Sequence, residues 1–116
     1  MNRFEAEVRA TGMTVFAHID HAAGATAAGL SLRPTELLIF GNAKTSTPLM
    51  QSTQTLGIDL PLKALVWQDA SGTTWLSYND SAFLALRHGL DGADNTTVNT
   101  IAAALKAIAS KATTLS

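Results

Sequence analysis

His18-Ile19-Asp20-His21 places two imidazoles and a carboxylate within four residues. Such a cluster could ligate a metal or move a proton, since histidine alone titrates near neutrality without help from its surroundings. On a strand His18 and Asp20 share a face, while His21 points the other way unless the chain turns there. A metal needs a further well-placed ligand, and the chain has no cysteine to supply a thiolate. Asp20 as a helix cap, with His21 bonded to nearby backbone, accounts for the same residues. His18, Asp20 and His21 are therefore weak metal candidates only, and no metal site is expected. A proton-transfer reading instead joins His21 to Asp20 or Asp59, with Lys63 nearby, provided these residues converge at one end of a sheet.

Other patterns are weaker. Gly41-Asn42-Ala43-Lys44-Thr45 follows an apolar run and resembles the end of a phosphate-binding loop, but the longer glycine-rich stretch that encircles phosphates is missing. Arg33 could hold a carboxylate bidentately, or form an ordinary salt bridge. Arg87-His88-Gly89 reads as a helix C-terminus, where cations favour the dipole and glycine ends the helix. No serine sits in a Gly-x-Ser-x-Gly setting, and there is no dinucleotide fingerprint. The sequence contains no recognisable catalytic motif, which leaves open whether the protein is an enzyme, and no cofactor is expected.

Composition narrows the classes. The 116 residues suit a single domain, 1–116, able to bury roughly two-thirds of the surface that its unfolded form exposes. Hydrophobic residues make up 47% and support a core, while charged residues make up 15%, so Ser, Thr, Asn and Ala must provide much of the surface. A formal net charge of −1 gives no electrostatic footprint for nucleic acid or an anionic membrane, and neither partner is expected. The lack of cysteine fits a reducing compartment, Met1 to Glu5 lacks a secretory signal pattern, and no apolar run approaches a bilayer span. A cytoplasmic location is expected.

The elements that must position these residues can be read along the chain. Asn2 to Ala10 reads as a helix with Phe4 and Val8 on one face and Gly12 just past its end. Met13 to Ile19 alternates as a strand, and Ala-rich Ala22 to Gly29 reads as a short helix packed near the sheet. Leu30 to Pro34 is an extended connection, because Pro34 pushes Arg33 out of helical space. The nearly continuous apolar run Glu36 to Phe40 predicts a central strand covered on both faces. Thr47 and Pro48 predict the start of a helix, with Thr47 as cap, ending near Gly57. Leu60 to Gln68 and Thr73 to Asn79 read as strands. Asp80 caps a helix through Arg87 that Gly89 stops, and a polar loop spans Asp91 to Asn95. The longest helix, from about Thr96 to Lys111, carries Val98, Ile101, Leu105 and Ile108 at helical spacing.

Asp69-Ala70-Ser71-Gly72 supplies a hairpin turn with glycine at the left-handed position. A bulge there pairs Asp69 with Thr73, and sets Trp67 opposite Trp75, Leu65 opposite Ser77 and Lys63 opposite Asn79. One face then carries Lys63, Leu65, Trp67, Trp75, Ser77 and Asn79. The other carries Leu62, Ala64, Val66, Thr74, Leu76 and Tyr78, a more ordinary core face. Two tryptophans on the amphipathic side call for cover by a ligand, a partner subunit or the chain's own C-terminal helix.

Several blocks recur in a recognisable order: Gly12-Met13-Thr14-Val15-Phe16, Ile19-Asp20-His21, Leu32-Arg33-Pro34-Thr35-Glu36-Leu37 and Phe40-Gly41-Asn42. They continue with Thr47-Pro48-Leu49-Met50, Ile58-Asp59-Leu60-Pro61-Leu62-Lys63, Tyr78-Asn79 and Arg87-His88-Gly89. Over nearly its whole length the chain resembles the bacterial and archaeal family known as domain of unknown function 302. Ala43 departs from it, standing where members commonly have proline. The resemblance implies a compact α+β domain with a mainly antiparallel sheet, often dimeric, and implies no activity. With the elements above, the expectation is a sheet of about four strands packed with helices, including a long C-terminal helix. The expected function is a homodimeric module for small-molecule binding or interaction, with His21, Asn42, Asp59, Lys63, Trp67, Trp75 and Tyr78 as ligand-binding candidates. The alternative is a small cofactor-free enzyme using His21 with Asp20 or Asp59 as general acid and base.

Overall fold

The computed structural model describes residues 1–89 and 96–113, so the loop expected over Asp91 to Asn95 lies outside the described residues. Four strands, β1 (Thr14–Asp20), β2 (Thr35–Gly41), β3 (Leu62–Gln68) and β4 (Thr74–Tyr78), form one sheet in the order β1-β2-β3-β4, every pair antiparallel. Among the described residues five α-helices accompany it: α1 (Asn2–Ala10), α2 (His21–Ala27), α3 (Ala43–Ser52), α4 (Ser81–Arg87) and the long α5 (Thr96–Thr113). The fold is α+β.

Local chemistry sets most boundaries. Gly12 at φ 84° and Gly89 at φ 82° occupy the left-handed region just beyond α1 and α4. Asp20 and Asp80 cap α2 and α4, their Oδ1 atoms accepting from the Ala23 and Ala82 backbone N–H at 2.9 and 3.1 Å. The third helix departs from the expectation. Asn42, not Thr47, is its cap, with Oδ1 accepting from the Lys44 N–H at 2.9 Å, and Pro48 lies inside the helix. A 3-10 helix (Gln54–Ile58) follows α3 as a separate element. Asparagine at the strand end is satisfied by starting the helix at once, and this outweighs the preference of proline for a first turn.

The hairpin has the expected register. Asp69 N–H donates to Thr73 O at 2.9 Å, Gly72 has φ 86°, and Trp67 pairs with Trp75 and Leu65 with Ser77. That register sorts the sheet into two faces. On one, Leu38, Phe40, Leu62 and Ala64 are buried together with Phe4 and Val8 of α1, Leu49 of α3, Leu56, Ala85 of α4, and Val98, Ile101, Leu105 and Ile108 of α5. Phe4 meets Phe40 edge-on, ring centroids 5.5 Å apart. This side holds the core.

The opposite face carries Ala17 and Ile19 of β1, Thr35, Leu37 and Ile39 of β2, Lys63, Leu65 and Trp67 of β3, and Trp75 and Ser77 of β4. None of these side chains joins the buried core. The central position of β2 is as expected, but cover on both faces is not: Leu38 and Phe40 are buried, whereas Leu37 and Ile39 are only half-buried. The C-terminal helix is not the cover of the tryptophan face, because its apolar stripe packs into the core on the other side. Likewise α2 has no buried residue, so its contact with the sheet is peripheral.

Candidate functional site

The open face is apolar and its indoles are already satisfied. Trp67 and Trp75 stack with ring centroids 6.4 Å apart and planes 25° apart. Trp67 Nε1 donates to Ser77 Oγ at 2.9 Å, and Trp75 Nε1 donates to Asp69 Oδ2 at 2.8 Å. Trp75 is nevertheless 51% exposed and Ile19 40%. Covering this face would bury both rings without leaving an indole donor unpaired. Asp69 also accepts the Ser71 and Thr73 backbone N–H groups at Oδ1. The Trp75 hydrogen bond, then the Thr73 and Ser71 bonds, with the charge of Arg33 behind them, hold its carboxyl below the ordinary value.

Beside the stack is a concavity of about 290 Å³ lined by Leu37, Lys63, Leu65, Ser77, Tyr78 and Asn79. Lys63 and Tyr78, two of the sequence candidates, both border it, although the register turns the Tyr78 side chain to the helix side; Trp67 and Trp75 are adjacent on the Lys63 face. Asn42 lies elsewhere, capping α3 and bordering a smaller hollow of about 130 Å³ with Phe16, Met50 and Pro61.

The expected convergence of His21 with Asp59 is not formed. Asp20, just before His21, pairs with Glu36, which pairs with Val66; Asp59 precedes Leu62, at the other end of β3. Four residues of strand, roughly 13 Å, separate those levels before the loop is counted. His18 is turned to Glu36, with Nε2 and Oε1 2.9 Å apart, while Asp20 caps α2. Among the described residues no group of three or more His, Cys, Asp or Glu side chains could hold a metal ion.

Asp59 has a different histidine. His88 Nε2 is 2.6 Å from Asp59 Oδ2, and His88 Nδ1 is 2.9 Å from Thr55 Oγ1. Arg87 reaches Asp59 Oδ1 at 3.3 Å. The His88 hydrogen bond, aided by the charges of Arg87, His88 and Lys63, lowers the Asp59 carboxyl against an opposing effect of burial. An ionised Asp59 accepts Nε2–H; Nδ1 then accepts the Thr55 hydroxyl when the ring is neutral and donates to it when the ring is cationic. Such a linked hydroxyl, imidazole and carboxylate can relay a proton, and it also ties the end of α4 to the 3-10 segment. Neither concavity described above has His88 or Thr55 in its wall. The sequence could not reveal the pair, since Arg87-His88-Gly89 has a sufficient local reading as a helix end.

The family described as domain of unknown function DUF302 matches residues 1–108. The chain belongs to this family. A crystal structure of an uncharacterized conserved DUF302 protein from Bacillus stearothermophilus has the same fold, with a TM-score of 0.83 over 96% of this chain and 86% of that one, at 21% identity. Two proteins named Fluoride-specific ion channel FluC 1, from Brucella suis biovar 1 (strain 1330) and Brucella abortus biovar 1 (strain 9-941), are each 53% identical to it over 90 residues. The match takes in 78% of this chain but 35% and 33% of theirs. This DUF302 chain therefore spans about a third of the length of the curated relatives it matches. Among its described residues no helix is long and apolar enough to cross a membrane.

Proposed function

We propose that this DUF302 domain is an interaction module that acts as a homodimer in the cytoplasm, two copies packing through their open sheet faces. The observation that carries this reading is the uncovered side of β1 to β4, where Ile19, Leu37, Ile39, Leu65, Trp67 and Trp75 stand together outside the core. A contiguous apolar face of this kind marks an interface. A second copy is the occupant that fits best. Sheets stack face to face about 10 Å apart, and a twofold axis lets one surface serve as both halves of the contact. The paired indoles support the same reading, because this face can be dried without stranding either donor.

The Brucella relatives add support of a limited kind. There a similar stretch is about a third of a longer protein, as suits a module that works beside a partner. The conduction in their name belongs to those whole proteins.

Replacing Leu65 with lysine tests the interface, since it sets a charge in the middle of the face while leaving the helix-side core untouched. We expect the variant to scatter light as a single chain with unchanged circular dichroism. A dimer that survives Leu65→Lys would overturn the sheet-face interface and turn attention to the exposed Phe83 and Leu86 of α4.

A further inference from the structure

We infer that the concavity beside the tryptophan stack is a binding site for a small organic monoanion, a carboxylate on an apolar or aromatic body; the inference rests on the proposed dimer only for the lid that encloses the site. The lining has two kinds of residue and no acid. Lys63, Ser77 and Asn79 bring an ammonium, a hydroxyl and an amide, while Leu37 and Leu65 form apolar walls; Tyr78 borders the hollow from the strand whose register turns its side chain to the other face. At about 290 Å³ it falls at the small end of ligand pockets.

Lys63 is the reason an anion is required. It forms no salt bridge among the described residues, and the carboxylate on its side of the sheet, Asp69, lies six residues along the strand, roughly 20 Å away, and already serves Trp75 and the turn backbone. Its charge is felt by Asp59, but both oxygens of that carboxylate already serve His88 and Arg87. A lysine brought under an apolar cover needs a counter-charge, because an unpaired buried ammonium is strongly unfavourable. One cation calls for one negative charge, and this favours a monoanion over a phosphate dianion.

Ser77 adds direction. Its oxygen accepts from Trp67 Nε1, which leaves its hydroxyl hydrogen free to donate to a ligand next to Lys63. The Trp67 indole N–H is thus a reporter one bond away from the proposed ligand. Leu37, Leu65 and the stacked rings meet the rest of the molecule, and a charge-assisted contact at one end with apolar contact along the body is what such a carboxylate would find.

The experiment is a titration of the full chain with sodium benzoate, with benzamide as the neutral analogue and sodium chloride at matched ionic strength as control. It is followed by the Trp67 indole N–H resonance and the Leu37 and Leu65 methyl resonances. We expect saturable shifts at all three positions below about 10 mM benzoate. Benzamide and the Lys63→Met variant should each bind at least roughly tenfold more weakly, Lys63→Arg should retain binding, and chloride should move nothing. Because Lys63→Met could disturb the sheet, the paired Trp67 and Trp75 indole resonances of the unliganded variant serve as its folding check. Equal binding of benzoate and benzamide, undiminished binding by folded Lys63→Met, or no shift at all would each overturn the inference. The mass of the same sample separates the two proposals. Benzoate binding to a single chain would sink the dimer and leave the site standing, whereas a dimer indifferent to benzoate would sink the site alone.

Discussion

Among the described residues Asp59 and Asp69 are the two carboxylates that the fold draws below their ordinary value, each through a hydrogen bond to a ring: His88 for Asp59 and Trp75 for Asp69. A carboxyl lowered in the folded state contributes stability that is present above its unfolded value, near 3.9, and is lost as pH falls through its folded value. The protein should therefore lose stability below about pH 4. Asp59→Asn should lower the thermal midpoint at neutral pH, and the difference from wild type should narrow as the pH falls below about 4; equal midpoints at neutral pH would refute this role. At the turn, Gly72 holds φ 86°, so Gly72→Ala should cost about 1–2 kcal/mol in denaturant unfolding. The turn was legible because aspartate and glycine act within a few residues of each other. The partner of Asp59 was not, since His88 lies 29 residues away and has a local reason to be at a helix end.

Among the elements, the β3–β4 hairpin is dictated by one local signal, whereas α3 carries two that compete. Asp69 to Gly72 dictates a bulged turn, and from that turn the period of two carries the register to Trp67 and Trp75. For α3 two local signals compete, Asn42 as cap and Pro48 as first-turn residue, and their spacing does not say which prevails. With Asn42 as cap, Pro48 falls in the sixth helical position, where it cannot donate to the Lys44 carbonyl. Its side chain is exposed. Pro48→Ala should then stabilise the protein by roughly 1–3 kcal/mol, read as a rise in the denaturant midpoint. A fall would mean that the proline ring is needed where it is.

For the whole molecule, amphipathic α5 and the four strands imply a two-layer α+β arrangement, and the helix stripe of Val98, Ile101, Leu105 and Ile108 is the packing face that its spacing suggests. Which side of the sheet it covers was not legible, because both faces of β3 carry apolar residues. The register marked the side of Leu62 and Ala64 as the more ordinary core face, as the structure has it; that α5 covers this side and leaves Leu65 and Trp67 outside is visible only in the assembled core. Homodimerisation through that outer face is the central claim. Sedimentation equilibrium of the unmodified chain, followed over a dilution series, tests it most directly. The dimer should give a mass close to twice the 12.2 kDa of one chain, falling only on strong dilution. A mass of 12.2 kDa at every concentration would contradict it.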